Sequence, residues 1–148
     1  MEQKTVETII VQKVLEHLPR TQAVYLFGTY GTDHEWPHSD IDIAVLLPPR
    51  IAKTIDSRDL IAAQNVLELT LGKPVDLINL RRIDTVLQFE IVTTDRRIYT
   101  ADAYAADEFE MLTLSFYQKL NEERAELLRD ARRESRAYAA KYSEITTP

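Results

Sequence analysis

Two stretches decide the reading of this chain: Ala23-Val24-Tyr25-Leu26-Phe27-Gly28-Thr29, and Asp40-Ile41-Asp42-Ile43-Ala44-Val45-Leu46-Leu47, with ten residues between Thr29 and Asp40. The first is a short apolar run that stops at a glycine, the pattern of a buried strand entering a turn. The second alternates after its acidic entrance. Ile41, Ile43, Val45 and Leu47 fill one face of a predicted strand from Asp40 to Leu47, and Ala44 and Leu46 make the far half of the other face apolar as well. Residues i and i+2 of a strand project to the same side, so Asp40 and Asp42 are expected on one surface. Two ionised carboxylates about 4 Å apart repel by roughly 4 kcal/mol at an effective dielectric near 20. A bound divalent cation offsets that repulsion, and a hard ion such as magnesium suits carboxylates, water and substrate phosphates. Gly28, lacking Cβ, lets a backbone approach a phosphate closely, and Thr29 adds a hydroxyl beside it.

The remaining segments arrange themselves around this pair of strands. Upstream, Val6, Ile9, Ile10, Val14 and Leu18 have the spacing of one helical face, closed by Pro19. Downstream, Pro48-Pro49 stops the second strand, and a helix is predicted from Asp56 or Ser57 through Leu71 to Gly72. Pro74 opens a third strand, Val75 to Leu80, that carries one acid, Asp76, inside an apolar run. Burying an unpaired carboxylate is costly, so Asp76 needs a reason to be there. Asp84 is placed to cap a helix, Arg97-Ile98-Tyr99 reads as a short edge strand, and Asp102 is placed to cap a last helix running to about Tyr142. The later half of that helix is heavily charged in both signs, which suits solvent or a partner.

Composition narrows the function. A chain of 148 residues is read as a single domain, 1–148, with a core of about 1–100 and a helical extension of about 102–142. The net charge of −6, without a Lys/Arg block, argues against direct nucleic-acid binding. The absence of cysteine rules out disulfides and thiolate metal sites. Nothing near the N-terminus reads as a signal peptide and no segment is long enough to span a bilayer, so a cytoplasmic protein is expected.

Gly28-Thr29, the ten-residue gap, Asp40-x-Asp42 and the later strand acid Asp76 resemble the minimal nucleotidyltransferases of the polymerase-beta-like superfamily. Within it the chain looks like the MNT antitoxins of HEPN-MNT toxin–antitoxin pairs. The resemblance covers roughly residues 1 to 100. It implies an α/β (α+β) nucleotidyltransferase fold, a mixed central sheet of about four strands flanked by helices, with a long C-terminal helix added. It also implies that Gly28 and Thr29 hold the nucleotide phosphates, that Asp40 and Asp42 bind magnesium, and that Asp76 shares the metal or takes the acceptor's proton. ATP is the implied substrate and a cognate HEPN ribonuclease toxin the implied partner, modified by AMP on a tyrosine. Thr29 departs from the serine usual in the family. That departure motivates an alternative, a non-catalytic antitoxin that masks its toxin with a weakened nucleotide site. Transfer to a small molecule ranks lower, because no additional domain supplies a pocket for one. His34, His38, Trp36 and the charges from Glu122 to Arg136 read as loop and surface residues, and Arg96 and Arg97 as surface arginines of which at most one faces the site.

Overall fold

The computed structural model describes residues 2–146, with side chains described to Tyr142. The elements run α1 (Gln3–His17), β1 (Ala23–Phe27), β2 (Ile41–Leu46), α2 (Pro49–Thr54), α3 (Ser57–Leu71), β3 (Val75–Asn79), a 3-10 turn (Leu80–Arg82), α4 (Thr85–Thr93), β4 (Arg97–Thr100) and α5 (Ala103–Thr146). Two compact units divide the chain, one ending at Thr113 and the other beginning at Leu114.

In the first unit the four strands form one mixed sheet in the order β3-β2-β1-β4. β1 pairs antiparallel with β2 and β4, while β2 and β3 are parallel. Alternation along the strands sends side chains to two cores. Val24, Leu26, Ile41, Ile43, Val45 and Leu77 pack beneath α1 and α3, which contribute Val6, Ile10, Val14, Ala63 and Leu67. On the other face Ala23, Tyr25, Ala44 and Leu46 pack against Leu80, against Ile91 and Val92 of α4, and against Ala106 and Phe109 of α5. Both faces of the two central strands are therefore covered except at one end, where β2 begins with its acids.

Most boundaries follow the local chemistry. Asp56 accepts a hydrogen bond from the Arg58 amide at the start of α3, and Gly72 ends that helix in the left-handed region at φ 68°. Asp84 and Asp102 accept from the Leu87 and Ala105 amides. The helix α2 is an addition to the sequence reading. Its first residue is Pro49, whose fixed φ and missing N–H suit the first turn of a helix, so the proline pair ends one element and opens the next. Strand β2 is also shorter by a residue at each end than predicted, and Asp40 stands just before it.

β3 lies at a sheet edge, and its outward amides are not left bare. Val75 N–H donates to Glu68 Oε1 and Leu77 N–H to Gln64 Oε1, each at 3.0 Å, so side chains of α3 cap the edge and pin the strand. Among the described residues no helix is long and apolar enough to cross a membrane. A Cβ at Gly72 would meet nothing within 4 Å, so a substitution there costs only backbone conformation. Gly72→Ala is expected to lower stability by about 1 kcal/mol in chemical denaturation, and Gly72→Asn by less.

Candidate active site

The site forms where β1 runs out and β2 begins. Register places Phe27 of β1 opposite Asp42 of β2, and Asp42 opposite Asp76 of β3, so these three share one face in a row across the sheet. Asp40 stands two residues before Asp42 and is exposed, as is Asp76, while Asp42 is half-buried. Burial first, then the negative charge of Asp76, then that of Asp40, raises the Asp42 carboxyl above its ordinary pKa. The backbone of β1 closes the fourth side. Gly28 has φ 73°, and a Cβ on it would lie 2.2 Å from Asp42 Oδ2, inside any tolerable contact. Gly28 is thus required twice, for its conformation and for the carboxylate against it.

The turn after Gly28 is tied at two further points. Thr29 Oγ1 and Ser39 Oγ lie 3.2 Å apart, and the buried Ser39 also accepts from the Trp36 amide at 2.9 Å. One hydroxyl therefore connects the glycine turn to the residue just before Asp40. Arg96 supplies the second tie, donating to the Tyr30 carbonyl and, at 3.3 Å, to that of Gly28. Its guanidinium also fills the space a side chain at Gly31 would need. The sequence reading of Arg96 as a surface arginine is corrected by this contact. Arg97 is bound elsewhere, to Asp107 and Glu110 of α5, each at 3.1 Å. Ser39 carried a weak signal, its position next to Asp40. Arg96 is one of two arginines of which at most one could face the site, and the pairing of β4 with β1 shows which.

His34, His38 and Trp36 are exposed in the loop, and the Trp36 and His38 rings meet edge to face at 5.7 Å. Thr29 is exposed too, so its additional methyl is not forced into a packed interior. The structure brings Gly28, Asp42 and Asp76 together, with Asp40 near enough to act on Asp42 electrostatically and Thr29 linked to it through Ser39. Among the described residues no group of three or more Asp, Glu, His or Cys side chains is arranged to hold a metal ion. The donor set nevertheless suits a hard divalent cation. Such an ion commonly takes one or two carboxylates and completes its shell with water and substrate phosphate oxygens. The cradle that a Cβ on Gly28 would fill lies on that same carboxylate.

Facing strand acids, a glycine turn pressed on one of them and a mixed sheet behind are features of a nucleotidyltransferase, and likeness to known proteins gives that class. A family model described as polymerase beta, nucleotidyltransferase, matches residues 10–104, and the chain belongs to that family. Among its relatives is the protein adenylyltransferase MntA of Shewanella oneidensis, 34% identical over 125 residues that span 84% of this chain and 86% of that protein. A solved complex of a tri-AMPylated Shewanella oneidensis HEPN toxin with its MNT antitoxin matches with a TM-score of 0.69 and 31% identity, over 88% of this chain and 98% of that one. A toxin–antitoxin structure with AMP-PNP matches with a TM-score of 0.70 and 31% identity, over 84% of this chain and 97% of that one.

Two outcomes test the geometry. The folded state raises the proton affinity of Asp42, so between the ordinary carboxylate pKa and the raised one stability falls as pH increases, and above both the penalty is complete. Asp42→Asn removes that penalty. Thermal melts at neutral pH are expected to show a rise of roughly 1–4 °C, converging with the unsubstituted protein in acid where both side chains are neutral. Gly28→Ala, by contrast, drives a methyl into the carboxylate. Nucleotide-dependent turnover is expected to fall by about 100-fold or more while the circular dichroism spectrum is kept.

Proposed function

We propose that this chain is the antitoxin of a type VII-like toxin–antitoxin pair and acts in the cytoplasm as a magnesium-dependent protein adenylyltransferase. It transfers AMP from ATP to a tyrosine of a cognate HEPN ribonuclease toxin and so silences it. The observation that carries this reading is the row of Asp42 and Asp76 on adjacent strands with Gly28 packed against the Asp42 carboxylate. Membership of the nucleotidyltransferase family and the likeness to MntA supply the reaction class and the partner.

In this reading the whole chain, 1–148, works as one nucleotidyltransferase domain whose catalytic part is the core of about 1–100. Gly28 and Thr29 present backbone and hydroxyl to the nucleotide phosphates. Asp40 and Asp42 would hold magnesium, with Asp76 beside Asp42 to share the ion or to take the acceptor's proton. The ion, when bound, neutralises charge on the triphosphate and on the departing pyrophosphate. The phenolic oxygen of the target forms a bond to the α-phosphorus as the bond from that phosphorus to the oxygen bridging to the β-phosphate breaks, and pyrophosphate leaves. Asp76, exposed on the outer strand, is placed to accept the phenolic proton from a substrate as large as a protein. Fixed groups do the positioning. Arg96 and Ser39 hold the glycine turn, so little ordering remains when the nucleotide arrives.

Intact-mass spectrometry of the purified toxin after incubation with this protein, ATP and magnesium is expected to show additions in units of AMP. Asp40→Asn/Asp42→Asn should abolish them, with a loss of at least about 100-fold. If the double variant still neutralises the toxin in full, the protein works by masking instead. No mass change with the unsubstituted pair would overturn transferase action.

A further inference from the structure

Past Thr113 the helix α5 carries a second pattern that the catalytic reading does not use. Positions 117, 120, 124, 127, 131, 134 and 138 alternate in steps of three and four, the heptad spacing of a coiled-coil seam sustained over three heptads. Tyr117, Leu120, Leu127, Ala131 and Tyr138 supply its apolar members. The later part of the seam is exposed: Leu127 is 68% exposed and Tyr138 62%, with Leu128 beside it at 58%, while Tyr117 and Leu120 are half-buried. Large apolar side chains exposed along one helical face point to a partner that covers them.

Two charges interrupt the seam, Arg124 and Glu134, and they identify the occupant. Neither has an opposite charge three or four residues away on its own helix, and neither makes an ion pair among the described residues. In a parallel pair each position faces itself, so Arg124 would meet Arg124 and Glu134 would meet Glu134. An antiparallel pair reverses that. With the two-fold axis beside Arg129, each residue faces the one equally far on the other side of the axis. Arg124 then faces Glu134 of the second copy, Leu120 faces Tyr138, and Leu127 faces Ala131. A large side chain meets a small one at the last layer, the Arg124–Glu134 layers become complementary, and Tyr117 falls opposite Lys141 at the ends. Leu128 packs toward its own counterpart near the axis. Asp130 also approaches its counterpart, from a solvated flank where screening weakens the repulsion.

We propose that residues 120–138 form a second interface, an antiparallel coiled coil with the same segment of a second copy of this chain. A charged layer of this kind costs some stability but fixes register and orientation, as polar residues in coiled-coil seams do. The segment lies outside residues 10–104 that carry the family match, so self-association is separable from nucleotide chemistry.

The test is the mass of the full-length protein in solution, without toxin, by sedimentation equilibrium over a range of concentrations and two salt concentrations. The unsubstituted chain is expected to dimerise. Arg124→Glu and Glu134→Arg should each weaken the dimer roughly 10–100-fold, because like charges then face each other, and the double exchange should restore it. Circular dichroism of each variant reports whether the helix itself survives. A monomer at all concentrations, a seam covered only when toxin is added, or a double exchange that fails to restore a dimer while helicity is kept would each overturn the proposal.

Discussion

The parallel register of β2 and β3 sets Asp42 beside Asp76, and this repulsive pairing is what the surrounding structure must sustain. Two neighbouring carboxylates favour a strand slip or protonation, and burial first, then the charge of Asp76, raises the Asp42 carboxyl above its ordinary pKa. The slip is blocked by burial on both faces of the sheet. Moving β2 by one residue would exchange Ile41, Ile43 and Val45 with the acid-bearing side, taking three fully buried side chains out of the core beneath α1 and α3. They would be forced into the differently shaped core that Ala44 and Leu46 now fill while Asp42 entered the first, so a slip mispacks both cores and buries an acid. Gln64 and Glu68 complete the constraint from outside by holding the free edge of β3.

A site built this way carries unbalanced negative charge before it meets a ligand, and in the proposed reaction a bound cation would offset it. The glycine turn is held with comparable firmness. Its carbonyls are claimed by Arg96, its threonine hydroxyl is matched to Ser39, and Gly28 is fitted against a carboxylate. These contacts arrive from β2 and β4 or their flanks, which is why the sheet, rather than the loop itself, fixes the turn.

The two units divide the labour. The first carries both apolar cores, the acids and the glycine turn. The second is a helical segment whose surface alternates exposed leucines and tyrosines with charges of both signs. Such a segment gains little from solvent alone, and its stability is tied to whatever covers its apolar face.

Strand ends, helix caps and the glycine-acid spacing were legible in the residues, because each is a local matter. Alternation over Ile41 to Leu47 assigns faces without knowledge of the fold, Asp56, Asp84 and Asp102 announce helix starts, and the Gly28-Thr29 and Asp40-x-Asp42 pattern points to phosphate and cation chemistry. Strand order was a different matter. That Asp76 stands opposite Asp42 follows from a parallel crossover, and that Arg96 reaches the glycine turn follows from β4 lying beside β1. An irregularity in that last pairing decides which arginine serves the site: the ladder steps from Val24–Tyr99 to Tyr25–Arg97, skipping Ile98, so that Arg97 shares a face with Tyr25 while the Leu26 amide bonds to the Arg96 carbonyl. One skipped residue exchanges two faces. Periodicity along a single strand determines which side chains belong together, but a bulge arises only when two strands pair, so the sequence by itself determined the acids and the turn, and the tertiary structure alone decided which residues hold them.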